Sequence, residues 1–170
     1  MYDPWTYLDN EIELAMNKYH NMVYRIAMNQ VKNQHDADDI FQEVFVRYIT
    51  AIGREQLNKK TFESEEHKKA WLIRVTLNCC NSFLTSAWSR KIVPLKEDIP
   101  FETKEEGDVF EAVMKLPLKY RTVIHLFYYE DLPVAEISQL LDRKESTVRE
   151  QLTRARRLLK KSLKGDYDYV

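Results

Sequence analysis

The sequence predicts an all-α protein of two small helical domains joined by an acidic linker. Three observations carry that expectation. Glycine (3) and proline (5) are rare in 170 residues, where a barrel or sandwich would want many turn residues. Apolar residues recur at intervals of three and four along several segments, which is the helical period. Between the periodic segments lies Ser89–Asp108, acidic, broken by Pro94, Pro100 and Gly107, and without a stripe. The expected boundaries are 1–91 for the first domain, 92–108 for an extended linker and 109–170 for the second domain.

The first stripe is Tyr19, Met22, Val23, Ile26 and Ala27. A second helix opens at His35-Asp36, where acidic groups favour the helix dipole, and carries Ile40, Phe41, Val44, Phe45, Tyr48, Ile49 and Ile52, with Gly53 as its expected stop. Glu55–Glu66 is polar and reads as a loop. A third helix spans Lys68–Trp88, with Ala70, Ile73, Leu77, Leu84 and Trp88 along one face. After the linker, Val109–Lys115 forms a short helix. Pro117 fits the first turn of the next, which carries Leu118, Val123, Ile124, Phe127 and Tyr128. Pro133 opens a short helix with Ile137, Leu140 and Leu141, and a last helix follows Asp142-Arg143-Lys144 with Val148, Leu152, Ala155 and Leu159 inward. The final pair matches a helix-turn-helix, with Asp142 standing in the turn where glycine would be easiest.

Composition excludes several classes. No stretch approaches the ~20 apolar residues that span a bilayer, and the N-terminus has neither a basic head nor an apolar run, so a cytoplasmic protein without membrane insertion is expected. Cys79 and Cys80 are adjacent, which is neither a redox CxxC motif nor a zinc site. His20, His35, His67 and His125 are scattered, and no glycine-rich phosphate loop or nucleophile elbow occurs. No enzyme activity, cofactor or small-molecule substrate is expected.

The net charge is only −1, but charge is segregated. Lys68, Lys69, Arg74, Arg90 and Lys91 form one block without acids, and Arg149, Arg154, Arg156, Arg157, Lys160, Lys161 and Lys164 form another with Glu150 alone among them. The acidic linker lies between. On the last helix the face opposite its apolar stripe presents Arg149, Glu150, Thr153, Arg154 and Arg157. An α-helix fits the major groove, where arginine can hold guanine through two hydrogen bonds. Lys160, Lys161 and Lys164 suit phosphates. The third helix interleaves Trp71, Arg74, Asn78, Asn81, Phe83, Trp88 and Arg90. Cations there can follow a backbone, aromatics can stack on unpaired bases, and Asn can read a base edge. In both helices the plain alternative is a solvated charged face over a core. Asp36, Asp38, Asp39, Gln42 and Glu43 lack the spacing of a calcium loop, and an exposed acidic face docking on a basic partner is the better reading.

The segments VYRIA (Val23–Ala27), DADDIFQEVFVRY (Asp36–Tyr48) and KKAWLIRVTLN (Lys68–Asn78) resemble region two of extracytoplasmic-function sigma factors. LPLKYRTVIHLFYYEDLPVAEISQLL (Leu116–Leu141) and ESTVREQLTRARRLLKK (Glu145–Lys161) resemble their region four. The resemblance implies a non-catalytic specificity subunit of bacterial RNA polymerase. Asp36, Asp39, Gln42, Glu43 and Arg47 would dock on the core polymerase. Lys69, Trp71, Arg74, Asn78 and Asn81 would read the opened minus-ten element, with a flipped base in a pocket to which Asn78 contributes. Arg149, Glu150, Thr153, Arg154 and Arg157 would read the minus-thirty-five element, and the acidic linker would lie along the RNA path. An anti-sigma factor is the implied inhibitor. The chain departs from the family pattern at Leu141-Asp142, where Leu-Gly is frequent, and at Glu150 and Gln151, where Ser or Arg is frequent. Two other classes compete: a stand-alone helix-turn-helix regulator, and a helical adaptor with no DNA role. Neither requires a polymerase-docking face.

Overall fold

The computed structural model describes residues 4–55, 62–90 and 104–167, with side chains described for 6–54, 62–86 and 106–164. Most of the stretch expected as linker, 92–108, lies outside the described residues, as do the side chains of Trp88 and Arg90. The described residues are helical with no strand among them, and the chain divides into two compact units, Met1–Leu95 and Lys96–Val170.

Three helices make the first unit: α1, Pro4–Val31; α2, Gln34–Glu55; and α3, Glu65–Arg90. Helix α1 begins far upstream of the stripe read from sequence, with Pro4 in its first turn, where the missing N–H is no loss. Lys32 takes a left-handed conformation (φ 58°) and turns the chain. Asn33 Oδ1 then accepts the Asp36 N–H at 2.9 Å, an N-cap that opens α2 just before the expected start. The stop expected at Gly53 does not occur, and α2 runs on to Glu55. Gly53 has no positive φ, so it does not make the left-handed closure by which glycine ends helices. Helix α3 starts at Glu65 rather than Lys68, because Ser64 Oγ caps it by accepting the His67 N–H at 3.1 Å.

The core of this unit joins Tyr19, Met22, Val23, Ile26 and Ala27 of α1 to Ile40, Val44, Phe45 and Tyr48 of α2 and Leu72, Ile73, Leu77 and Cys80 of α3, all buried. Each large apolar side chain fully buried contributes about 1.5–3 kcal/mol relative to exposure. Helix α3 packs on both α1 and α2 and so buries a wider face than its expected stripe. Leu72, Thr76 and Cys79 join Ile73 and Leu77, while Ala70 and Leu84 are only half-buried. Buried Thr76 satisfies its hydroxyl by donating to the Leu72 carbonyl at 2.7 Å. Burial pushes both cysteine thiols up, Cys80 to about 12, which leaves them unreactive packing groups.

The second unit holds α4, Lys104–Met114; α5, Leu118–Ile124, continued by a π turn, His125–Tyr129; α6, Val134–Leu141; and α7, Glu145–Tyr167. Residues 104–108, read from sequence as linker, are the first turn of α4. In the π turn the Glu130 N–H donates back to the His125 carbonyl at 3.2 Å. The extra residue per turn rotates the side chains about the helix axis, and Tyr128, one of the apolar residues read along this helix, is exposed. At the start of α5 the inward position belongs to Tyr120, and Leu118 sits at the surface. Buried Arg121 donates to the Leu116 carbonyl at 2.8 Å, and desolvation lowers its guanidinium to about 10. His125 Nε2 and Glu130 Oε1 share a hydrogen bond at 3.1 Å, both side chains buried.

The turn between α6 and α7 takes the form that its sequence predicts. Asp142 is left-handed (φ 50°, ψ 51°). Its N–H and that of Arg143 return to the carbonyls of Gln139 (3.4 Å) and Ser138 (3.0 Å), the pair of reverse bonds that closes a helix. Val148, Leu152 and Ala155 of α7 are buried, as expected.

Candidate nucleic-acid interface

Because Val148, Leu152 and Ala155 anchor α7 on α4, α5 and α6, the opposite face is turned to solvent. Arg149, Glu150, Thr153, Arg154 and Arg157 all lie on it and are exposed, and Lys160, Lys161 and Lys164 extend it. The face is ordered by its own acids. Arg149 Nη2 reaches Glu145 Oε2 at 2.7 Å, and Arg154 Nη2 pairs with Glu150 Oε1, each one turn apart. The Tyr120 hydroxyl and the Glu150 carboxylate hold the Arg154 guanidinium above its ordinary value. Thr153 Oγ1 donates to the Arg149 carbonyl at 3.0 Å. Arg157, Lys160, Lys161 and Lys164 make no ion pair among the described residues.

Arg156, grouped by sequence with the basic block, is committed to packing. Its Nε donates to the Tyr128 hydroxyl at 2.7 Å and its guanidinium lies over the rings of Phe127 and Tyr128 at 5.5 and 5.6 Å. Arg143 Nη1 donates to Gln151 Oε1 at 2.9 Å and ties the turn to the first part of α7.

In the first unit, α3 carries Trp71, Arg74, Asn78 and Asn81 at the three-and-four spacing of one face. Arg74, Asn78 and Asn81 are exposed, while Lys69 and Trp71 are half-buried beside them. Trp71 is backed by an aromatic group that sequence reasoning missed. Its ring lies 5.5 Å from Phe62 and 6.2 Å from Tyr48, and Phe62 also meets Tyr48 at 5.9 Å and His67 at 5.7 Å. Phe83, like Trp71, is half-buried.

A polar network fixes the start of α3 to the other two helices. Glu65 accepts from Tyr19 Oη (2.6 Å), Lys18 Nζ (2.9 Å) and Lys68 Nζ (3.1 Å). Lys68 also pairs with Glu11, which accepts from Tyr48 Oη at 3.0 Å. The Tyr19 hydrogen bond, with those from the two lysines, lowers the Glu65 carboxyl to about 2. Burial and the hydrogen bonds to Glu65 and Glu11 push Tyr19 and Tyr48 up. Lys68, counted by sequence in a basic block, is thus spent inside the fold. The signal for this network is the spread of Glu11, Lys18, Tyr19, Tyr48, Glu65 and Lys68 over three helices, which no single-helix periodicity reveals.

On α2, Asp39, Gln42, Glu43, Val46 and Arg47 share one exposed face, and half-buried Asp36 lies one turn before it. Glu43 Oε1 accepts from Arg47 Nε at 2.7 Å, and that hydrogen bond raises the guanidinium. Val46, 57% exposed, puts an apolar group in the middle of the charged face.

Comparison with known proteins agrees with this geometry. The Sigma-70 region 2 family matches residues 15–90, and the family Sigma-70, region 4 matches residues 107–159. RNA polymerase sigma factor SigV of Bacillus subtilis is 30% identical over 143 residues, covering 81% of each chain. The chain belongs to the sigma-70 family, as an extracytoplasmic-function RNA polymerase sigma factor. The ECF RNA polymerase sigma factor SigW of the same organism is 28% identical to this sigma factor over 171 residues, 86% of this chain and 85% of that one. In fold, the sigma factor resembles RpoE of Bartonella quintana, solved in complex with the anti-sigma factor NepR, with a TM-score of 0.73 at 15% identity over 91% of this chain and 97% of that one. No described helix of the sigma factor is long and apolar enough to cross a membrane.

Proposed function

We propose that this sigma factor reads its promoter with two faces of opposite character, each effective only when both units are held on core polymerase. In that reading residues 1–91 dock on the polymerase and read the minus-ten element, 92–108 form an acidic connection along the RNA path, and 109–170 read the minus-thirty-five element. Docking is through Asp36, Asp39, Gln42, Glu43 and Arg47 of α2. The minus-ten element is read as an opened strand by Lys69, Trp71, Arg74, Asn78 and Asn81 of α3, where a half-buried indole beside exposed amides offers stacking and a base-edge contact. The minus-thirty-five element is read as duplex by Arg149, Glu150, Thr153, Arg154 and Arg157 of α7, with Lys160, Lys161 and Lys164 on phosphates. The subunit itself performs no chemistry and works in the cytoplasm.

The observation that carries the reading is the pairing of two exposed faces bearing cations on two separately packed units, one mixed with aromatics and amides and one on the second helix of a helix-turn-helix. Two tethered weak sites reach useful affinity through effective concentration, so the free chain should bind promoter DNA weakly. RpoE was captured with an anti-sigma factor. A protein inhibitor of that kind, covering the docking and DNA faces, is the natural regulator of this sigma factor also.

The test is transcription by bacterial core polymerase with and without the purified chain, on a template library randomised over both promoter elements. Initiation from defined sequences that requires the chain supports the reading. Tight binding of the free chain to a palindromic site, with no binding to core polymerase, would replace it with a stand-alone regulator.

A further inference from the structure

Arg143, in the turn between α6 and α7, is held from both helices. Its N–H donates to the Ser138 carbonyl at 3.0 Å and its own carbonyl accepts from Ser138 Oγ, so α6 fixes its backbone. Its side chain reaches the other way, and Nη1 donates to Gln151 Oε1 of α7 at 2.9 Å. The guanidinium is half-buried, and burial lowers it from its ordinary value. Arg149 and Arg154 each have a carboxylate one turn away, Glu145 and Glu150. Arg143 makes no ion pair among the described residues. A cation drawn partly out of water without a counter-charge is costly, and an anion from outside the chain would relieve that cost.

Gln151 lies on the border of α7, half-buried between the inward stripe of Val148, Leu152 and Ala155 and the exposed face of Glu150 and Arg154. Its carbonyl is spent on Arg143. A helix with its side chains is about 10–12 Å across, and the major groove is about 12 Å wide. When the exposed face meets the base edges, the borders of the helix therefore meet the phosphate walls. A guanidinium has five N–H donors. Gln151 takes one, and the others include a fork that matches two phosphate oxygens. Fixing that fork before binding lowers the entropy lost on contact.

We propose that Arg143 binds a backbone phosphate of the minus-thirty-five duplex and that Gln151 is its positioning residue, so that the turn anchors the border of α7 against one wall of the groove. The proposal rests on α7 being the reader of that element. A phosphate contact carries no base information. Arg143 therefore sets the affinity and seating of α7, and Gln151 acts only through Arg143.

The experiment titrates holoenzymes carrying wild-type sigma factor, Arg143→Gln, Gln151→Leu, the double variant and Arg154→Ala with duplexes bearing the minus-thirty-five element or its single-base variants, over a range of salt. Arg143→Gln is expected to weaken binding by the same factor on every sequence and to reduce the slope of log affinity against log salt by about 0.9, the release of one phosphate's counterions. Its deficit against wild type then narrows about three- to fourfold between about 50 and 200 mM salt. Gln151→Leu should weaken binding alone and cost nothing further beside Arg143→Gln. Unchanged affinity and slope in Arg143→Gln, with a positional loss in Arg154→Ala, overturns the proposal and leaves the reading of α7 intact. Weaker binding at an unchanged slope also overturns it, since Arg143 then only braces the turn, and so does a changed preference at one base pair. Additive losses in the double variant remove Gln151 from the account. No positional effect from Arg154→Ala overturns the reading on which the proposal rests. A second measurement does not depend on the stability of the variants. Ethylation of single phosphates should weaken wild-type binding at one phosphate that no longer matters in Arg143→Gln, and an identical ethylation pattern in the two counts against the proposal.

Discussion

The proposed DNA-reading surfaces of α3 and α7 are built on opposite plans. On α7 the arginines are ordered before any ligand arrives: Arg149 by Glu145, Arg154 by Glu150, and Arg156 withdrawn onto Phe127 and Tyr128. On α3 the exposed groups Arg74, Asn78 and Asn81 make no ion pair among the described residues, and the order lies behind them, in the Tyr48–Phe62–Trp71 rings and the Glu11–Lys68–Glu65–Tyr19 network. The difference suits the two forms of DNA. A duplex presents base edges at fixed positions, so a preset arginine fork meets them without adjustment. An opened strand has many conformations and is captured base by base, on a stacking platform with adaptable polar neighbours.

The largest expected effect breaks the comparison at its support. Leu72, fully buried, holds α3 to its unit, and Leu72→Ala should cost about 2–5 kcal/mol. Denaturant unfolding followed by hydrogen exchange should place that loss in the first unit and leave α7 protected. Next come the readers. Arg154→Ala should reduce discrimination at one minus-thirty-five base pair about tenfold or more, and Asn78→Ala should impair opening of the minus-ten element while leaving duplex capture unchanged, as permanganate reactivity and filter binding would report separately. A smaller effect of opposite sign is expected at the turn. Asp142 is left-handed (φ 50°), and Asp142→Gly should stabilise the second unit by about 0.5–1 kcal/mol in thermal melts. Smallest is the pH effect of Glu65. Its carboxyl is lowered to about 2, so its contribution is present above the ordinary carboxylate range near ~4.3 and is lost as pH falls toward its folded value. Glu65 is half-exposed and its pairs are screened. The melting advantage of wild type over Glu65→Gln should therefore be modest near neutrality and vanish toward about pH 2.

The helical class was legible because few residues break the three-and-four period, and the helix-turn-helix because its residues are contiguous. Asp142 could be read as a left-handed turn residue from its neighbours alone. Helix ends were less legible: Ser64 acts as a cap from within a stretch that reads as polar loop, and Asn33 caps α2 from just ahead of its expected start. The π turn at His125–Tyr129 was hidden because side-chain pattern does not reveal an added residue per turn, and Tyr128, grouped with the apolar residues of that helix, is exposed. In the candidate site, the exposed faces of α2, α3 and α7 followed from spacing. The groups standing behind those faces did not. Phe62 against Trp71, Tyr128 against Arg156, and Glu65 between Tyr19 and Lys68 are tertiary meetings that single-helix periodicity does not reveal, and Arg156 and Lys68 read as free basic groups from spacing alone.

The central claim, that the two faces take two forms of DNA, is tested most directly by separating the ligands. Holoenzyme would be titrated with a single-stranded minus-ten non-template oligonucleotide and, separately, with a duplex carrying only the minus-thirty-five element, using wild-type sigma factor, Arg74→Ala/Asn78→Ala and Arg149→Ala/Arg154→Ala. The account predicts a crossed result: the α3 pair loses the single strand and keeps the duplex, and the α7 pair does the reverse. Equal losses on both ligands, or none on either, would contradict it.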